Sequence, residues 1–158
     1  MNKLVYKFLI VIGIILIYFS GIRVFRGIVH DIHMGIFLPE EYGIVSDDLI
    51  FYSQSSVSFT FESVGEEIPI TWQYKIPFGI FFLFSLIALS SFSSSKQHYF
   101  ALILIHLFCG FLSFVFMILG TNYLKELLFV PDFVSRYLIP ICSLGYVVLI
   151  YKRNQLED

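Results

Sequence analysis

The sequence predicts an integral membrane protein, mainly α, with four transmembrane helices and a small extracytoplasmic α+β cap containing a β-hairpin. Three observations lead there. Of 158 residues, 58% are hydrophobic and 14% charged, against about 45–50% and about 25% in a soluble domain. The apolar residues gather into long runs almost free of charge. Between the first two runs lies one polar stretch, 23–75, in which the hydrophobic period changes from helical to alternating. The net charge of −2 supplies no basic field for a phosphate backbone, so a nucleic-acid partner is excluded.

Residues 1–22 form the N-terminal anchor. Leu4 to Ile22 carries one charge, Lys7, and a helix needs about 20 apolar residues to cross a bilayer. Bulky residues flank Ser20-Gly21, where a signal peptidase needs small residues at alternating positions, so the segment reads as uncleaved. Helices are required because lipid offers backbone groups no partner. A barrel would alternate polar with apolar residues, and runs such as Phe78–Leu89 and Phe100–Phe108 do not.

The segment 23–75 is expected outside the cytoplasm. Phe25, Ile28, Val29, Ile32 and Ile36 recur at helical spacing, with Arg23, Arg26, His30 and His33 on the other side. Such a helix lies in the interface or extends the first span by two turns. In the interfacial case Arg23 and Arg26 are candidate contacts to lipid headgroups. A turn region from Leu38 to Asp48 follows. Val57, Phe59 and Phe61, then Ile68, Ile70, Trp72 and Tyr74, alternate with polar residues or Pro69, which predicts a hairpin over 57–74 with Pro69 at an edge. Leu49–Gln54 offers a third strand. Two strands alone are marginal in water, so the aromatic face must cover the interfacial helix, the membrane surface or another protein. Phe59, Phe61, Trp72 and Tyr74 are the candidate partner-docking residues.

The remaining spans are expected at 76–92, 98–120 and 133–151, followed by a cytoplasmic tail at 152–158. The fourth is short unless Phe133–Arg136 join it, with Arg136 snorkelling to the headgroups. With the N-terminus inside, Lys3, Lys7, Lys96, Lys152 and Arg153 face the cytoplasm, and Arg23, Arg26, Lys75, Lys125 and Arg136 the other side. The count is even, but the inner cations crowd very short segments. An inner-membrane protein with both termini cytoplasmic is therefore expected.

His106 is the titratable group well inside a span, and such residues are functional candidates by default. Helical spacing puts it on one side of the third span with Cys109, Gly110, Ser113, Met117 and Gly120. Small and polar residues let helix backbones approach in lipid, so His106, Gly110 and Ser113 read as a packing seam, with a proton-relay or ligand role as the alternative. Cys109 and Cys142 both lie in spans, and no disulfide framework exists outside. Cys142, Arg136 and His106 would be the residue types of a transpeptidase. His30 and His33 make half a metal site, whereas zinc needs three or four ligands. Phosphate-loop, hydrolase-elbow, zinc-protease and dinucleotide motifs are missing, and no acid pair or internal repeat suggests an ion-coupled transporter. No catalytic residue, cofactor or metal is therefore expected.

The inside anchor, the Phe/Tyr-rich outer segment ending in Trp72-Gln73-Tyr74-Lys75-Ile76-Pro77-Phe78-Gly79, and the aromatic spans after it form a hydropathy pattern. It resembles that of the small accessory membrane proteins found with exosortases. The resemblance implies an auxiliary role beside a protein-sorting or surface-export enzyme and carries over no catalytic position. The expected function is thus a non-enzymatic accessory or assembly subunit. Its partners would be membrane lipids and a larger membrane protein or further copies of itself. The alternatives are a membrane enzyme or lipid-handling protein acting on an anionic headgroup, and a small homo-oligomeric pore.

Overall fold

Helix α1 (Lys3–Ile17) passes through a π-turn at Tyr18–Ile22 into α2 (Arg23–Ile36) without a break. Here Ser20 Oγ donates to Leu16 O at 2.7 Å, next to Gly21. A hydroxyl bonded back along a helix, beside a glycine, is a common cause of such a widened turn. The computed structural model describes residues 3–36, 43–45, 56–61, 70–93 and 95–157. The amphipathic stretch therefore continues the first span; it is not a separate helix beginning at residue 23.

Three short strands follow, β1 (Gly43–Val45), β2 (Ser56–Phe61) and β3 (Ile70–Lys75), antiparallel in the order β1-β2-β3. The register pairs Phe59 with Trp72, Val57 with Tyr74 and Phe61 with Ile70. Side chains alternate along a strand, so these six positions share one face. The third strand is at 43–45; the expected one, 49–54, lies outside the described residues, as do the strands' side chains except that of Lys75. β3 runs beside α5 (Phe129–Phe133) and the π-turn that follows it.

After Lys75 the chain is neither helix nor strand through Ile76–Gly79, with a bend at Pro77 and Phe78. Helix α3 spans Ile80–Phe92 and α4 spans Lys96–Asn122. A 3₁₀ turn (Lys125–Leu128), α5, a π-turn (Val134–Leu138) and α6 (Ile139–Glu157) form one continuous rod. Pro140 lacks an N–H and crowds the carbonyl of Arg136, and the π-turn absorbs that conflict.

The expected fold class needs correction. Among the described residues three helices, not four, are long and apolar enough to cross a membrane: Val5–Val29, Lys96–Gly120 and Glu126–Leu156. The stretch expected at 76–92 contributes only the 13 residues of α3, about 20 Å against a hydrocarbon core of about 30 Å. The reason is local. Pro77 keeps Ile76 out of the helical region, and the helix begins only after Gly79. The expected small α+β cap containing a β-hairpin is corrected as well. The described chain is almost entirely helical, and its strands are of three, six and six residues.

The short helix is nonetheless the centre of the molecule. α3 packs against α1, α4 and α6. Phe82, Leu83 and Leu89 join Tyr18, Leu102, Val147 and Ile150 in the main core, and Cys109, Val134 and Ile139 form a second cluster farther along α4. Its C-terminal end is tied by all three long rods. Lys7 Nζ donates to Ser91 O (3.0 Å), Asn154 Nδ2 to Phe92 O (3.3 Å) and Tyr99 Oη to Ser93 O (2.9 Å). These carbonyls have no partner within the helix, and a lysine there also suits the negative end of the dipole.

Candidate functional site

The non-helical stretch Ile76–Gly79 sits among helices, which makes each of its backbone polar groups an accounting question. Ile76, Pro77 and Phe78 are buried. Pro77 has no N–H to satisfy. Arg26 Nη2 donates to Ile76 O at 3.1 Å. Phe78 N–H donates to His106 Nδ1 at 3.2 Å. Gly79 O accepts the first amides of α3, from Phe82 and Leu83. One cation on α2 and one imidazole on α4 thus serve two of the backbone polar groups at this break in the helical pattern.

The bonds around His106 fix its tautomer. Nδ1 accepts from an amide and so carries no proton. Ser143 Oγ donates to Ile139 O at 2.7 Å, and it also lies 2.9 Å from His106 Nε2. The hydroxyl proton being engaged, Nε2–H is the donor and Ser143 Oγ the acceptor. The ring is neutral, with both nitrogens engaged. Phe78 stacks on this ring at 5.3 Å and 24°, and Phe82 meets it edge-on at 4.9 Å. Phe78 holds φ at 62°, a left-handed conformation costly for a bulky side chain. Ring packing and the bond to His106 hold it there.

Gly110 lies one turn beyond His106. A Cβ built on it would meet Pro77 Cγ at 2.5 Å, so only glycine lets the non-helical stretch lie this close to α4. Ser113 is fully buried, its hydroxyl without a hydrogen-bond partner among the described residues. His106, Gly110 and Ser113 therefore lie on the inward side of α4; His106 meets both a neighbouring helix, through Ser143 of α6, and the non-helical backbone at Phe78, and Gly110 meets Pro77.

Arg26 requires a correction. Expected beside Arg23 on a headgroup-facing side, it is 8% exposed and turned inward onto Ile76 O, because a carbonyl preceding a proline inside the molecule needs a donor. Arg23 is exposed. Arg136, expected to snorkel, keeps its side chain 44% exposed while Nε bonds Asp132 Oδ1 at 2.7 Å. The transpeptidase set is not assembled: Arg136 holds Asp132, and both nitrogens of His106 are taken. Cys109 and Cys142 are free thiols. Among the described residues no group of three His, Cys, Asp or Glu is placed to hold a metal ion; the side chains of His30 and His33 lie outside them. Those of Phe59, Phe61, Trp72 and Tyr74 lie outside them too.

Beside the non-helical stretch a groove of about 260 Å³ runs between α2 and α4, lined by Phe25, Val29, Pro77, His106, Leu107 and Phe111 among others. Sequence reading missed this groove, the non-helical entry to α3 and the buried Asp132. Signals for two of them were present: Ile-Pro-Phe-Gly is a helix-breaking pattern inside an apolar run, and Asp132 and Arg136 stand at i, i+4 spacing.

Comparison with family models, with curated proteins and with solved structures finds no match to this chain.

Proposed function

We propose that this chain is a non-catalytic accessory or assembly subunit of a membrane complex, set beside a protein-sorting or surface-export enzyme, with both termini in the cytoplasm and the short α3, packed among the three long helices, returning the chain to that side. The observation that carries the reading is where the inward polar side chains go. Arg26 and His106 hold the backbone of Ile76–Phe78, Ser143 anchors His106, and Asp132 holds Arg136. A general acid, base or nucleophile must reach a substrate, and each of these groups already has a partner within the chain. The anionic-headgroup alternative loses Arg26 for the same reason.

The orientation is supported by which ends meet. Bonds from Lys7 and Asn154 to the end of α3 bring the start of α1, the connection before α4 and the end of α6 together. Lys3, Lys7, Lys96, Lys152 and Arg153 therefore cluster at one end of the helices, the arrangement typical of a cytoplasmic face. The aromatic positions Phe59, Phe61, Trp72 and Tyr74 are the proposed docking residues. Their common sheet face and the hydropathy-level likeness to exosortase-associated proteins are what support a protein partner.

The test is purification in a gentle detergent with mass spectrometry of what accompanies the chain. Trp72→Ala and Phe59→Ala are expected to weaken recovery of a partner while the chain still accumulates in the membrane. Unchanged recovery of every companion in both variants refutes the docking role.

A further inference from the structure

We propose that the groove between α2 and α4 binds one acyl chain of a phospholipid from the surrounding bilayer. The inference rests on the groove alone and is independent of the accessory reading. Both walls belong to segments long and apolar enough to span the membrane, Val5–Val29 and Lys96–Gly120, so its mouth opens toward the bilayer. Phe25, Leu107 and Phe111 form that mouth and are 49%, 49% and 68% exposed. The floor is Pro77, Phe78 and the His106 ring.

The chemistry of the lining selects the occupant. A bound water needs two to four polar partners. The polar side chain lining the groove is that of His106, whose nitrogens are engaged by Phe78 N–H and Ser143. A headgroup placed there would lose its hydration without gaining a hydrogen bond from that ring. A single hydrocarbon chain meets the requirements of shape and polarity. The floor gives the site a fixed form, because Pro77 rests on Gly110 and Phe78 is held by His106.

The experiment uses the full chain with Trp72→Phe, so that an introduced tryptophan is the sole reporter. Phe111→Trp places it at the mouth of the groove. Phe108→Trp places it one turn away, at similar exposure (64% against 68%) but outside the lining. Each protein is reconstituted in vesicles of phosphatidylcholine carrying brominated acyl chains, then exchanged into detergent until annular lipid is removed. The Phe111→Trp reporter is expected to remain quenched, with one phospholipid per chain surviving in native mass spectrometry. The Phe108→Trp reporter is expected to recover. Adding Leu107→Trp, in a chain without the other reporters, fills the mouth and is expected to lower the retained phospholipid roughly tenfold, or about 1.4 kcal/mol. Equal recovery of both reporters overturns the proposal, as does retained lipid unaffected by Leu107→Trp. So does a Phe111→Trp emission that follows the protein-to-lipid ratio rather than bromination, which would put a second copy of the chain in the groove.

Discussion

A backbone amide inside a membrane protein has no water to turn to, and the N–H of Phe78 finds its acceptor in His106. Replacing the imidazole by a methyl group strands that donor. His106→Ala is therefore expected to destabilise the protein by about 1–3 kcal/mol, read from unfolding in mixed detergent micelles. His106→Asn puts an oxygen near the place of Nδ1 and is expected to recover a good part of the loss. Equal losses would remove the acceptor role. Nitrogen NMR is expected to show the Nε2–H tautomer. Phe78 supports a second prediction. Glycine in ordered structure is normally worse than alanine, but at φ 62° alanine keeps the strain that glycine relieves. Phe78→Gly should thus be the milder of the two truncations in the same assay, and a milder Phe78→Ala would argue that the left-handed turn is not what the chain adopts.

At the scale of elements, α3 is short because Pro77 and Gly79 delay its start, and it is tied at both ends by side chains from the long helices. The glycines of the rods divide accordingly. Gly110 and Gly120 have neighbours where a Cβ would go, Pro77 Cγ at 2.5 Å and Leu128 Cγ at 2.7 Å, whereas Gly145 meets nothing within 4 Å. Gly110→Ala and Gly120→Ala are expected to cost about 1–3 kcal/mol, the usual range for overpacking. Gly145→Ala should be neutral or stabilising by up to about 1 kcal/mol, since alanine is the better helix former. Thermal aggregation midpoints of the three purified variants check the order. A destabilising Gly145→Ala together with a silent Gly110→Ala would contradict the packing described.

For the whole molecule, the starts of α1 and α4 and the ends of α3 and α6 meet at one pole, with β3 beside α5 on the far side of the non-helical entry to α3. Single cysteines at Ser56 and Ser94, in a chain with Cys109 and Cys142 replaced by alanine, report which pole faces the cytoplasm. A reagent that cannot cross the bilayer is expected to label Ser56→Cys from outside intact cells and Ser94→Cys only after permeabilisation. The reverse pattern inverts the orientation.

Membrane character was legible in the sequence because it is additive: long charge-poor runs need lipid whatever surrounds them, and three helices of sufficient length lie in or across the runs at 4–22, 98–120 and 133–151. The inward side of α4 was legible for a similar reason, since the 3.6-residue period alone places His106, Gly110 and Ser113 together. What those residues face was not. A histidine reads the same whether it meets a helix, a proton path or a stray amide, and only the approach of Phe78, 28 positions away, and of Ser143, 37 positions away, shows that it serves an amide and a helix together. Arg26 misled for the same reason: its helical phase pointed to the polar side, but the carbonyl of Ile76, 50 residues on, drew it inward. Local pattern determines where a chain leaves water. Which backbone groups then lack partners, and which side chains must serve them, is settled only when distant segments come together.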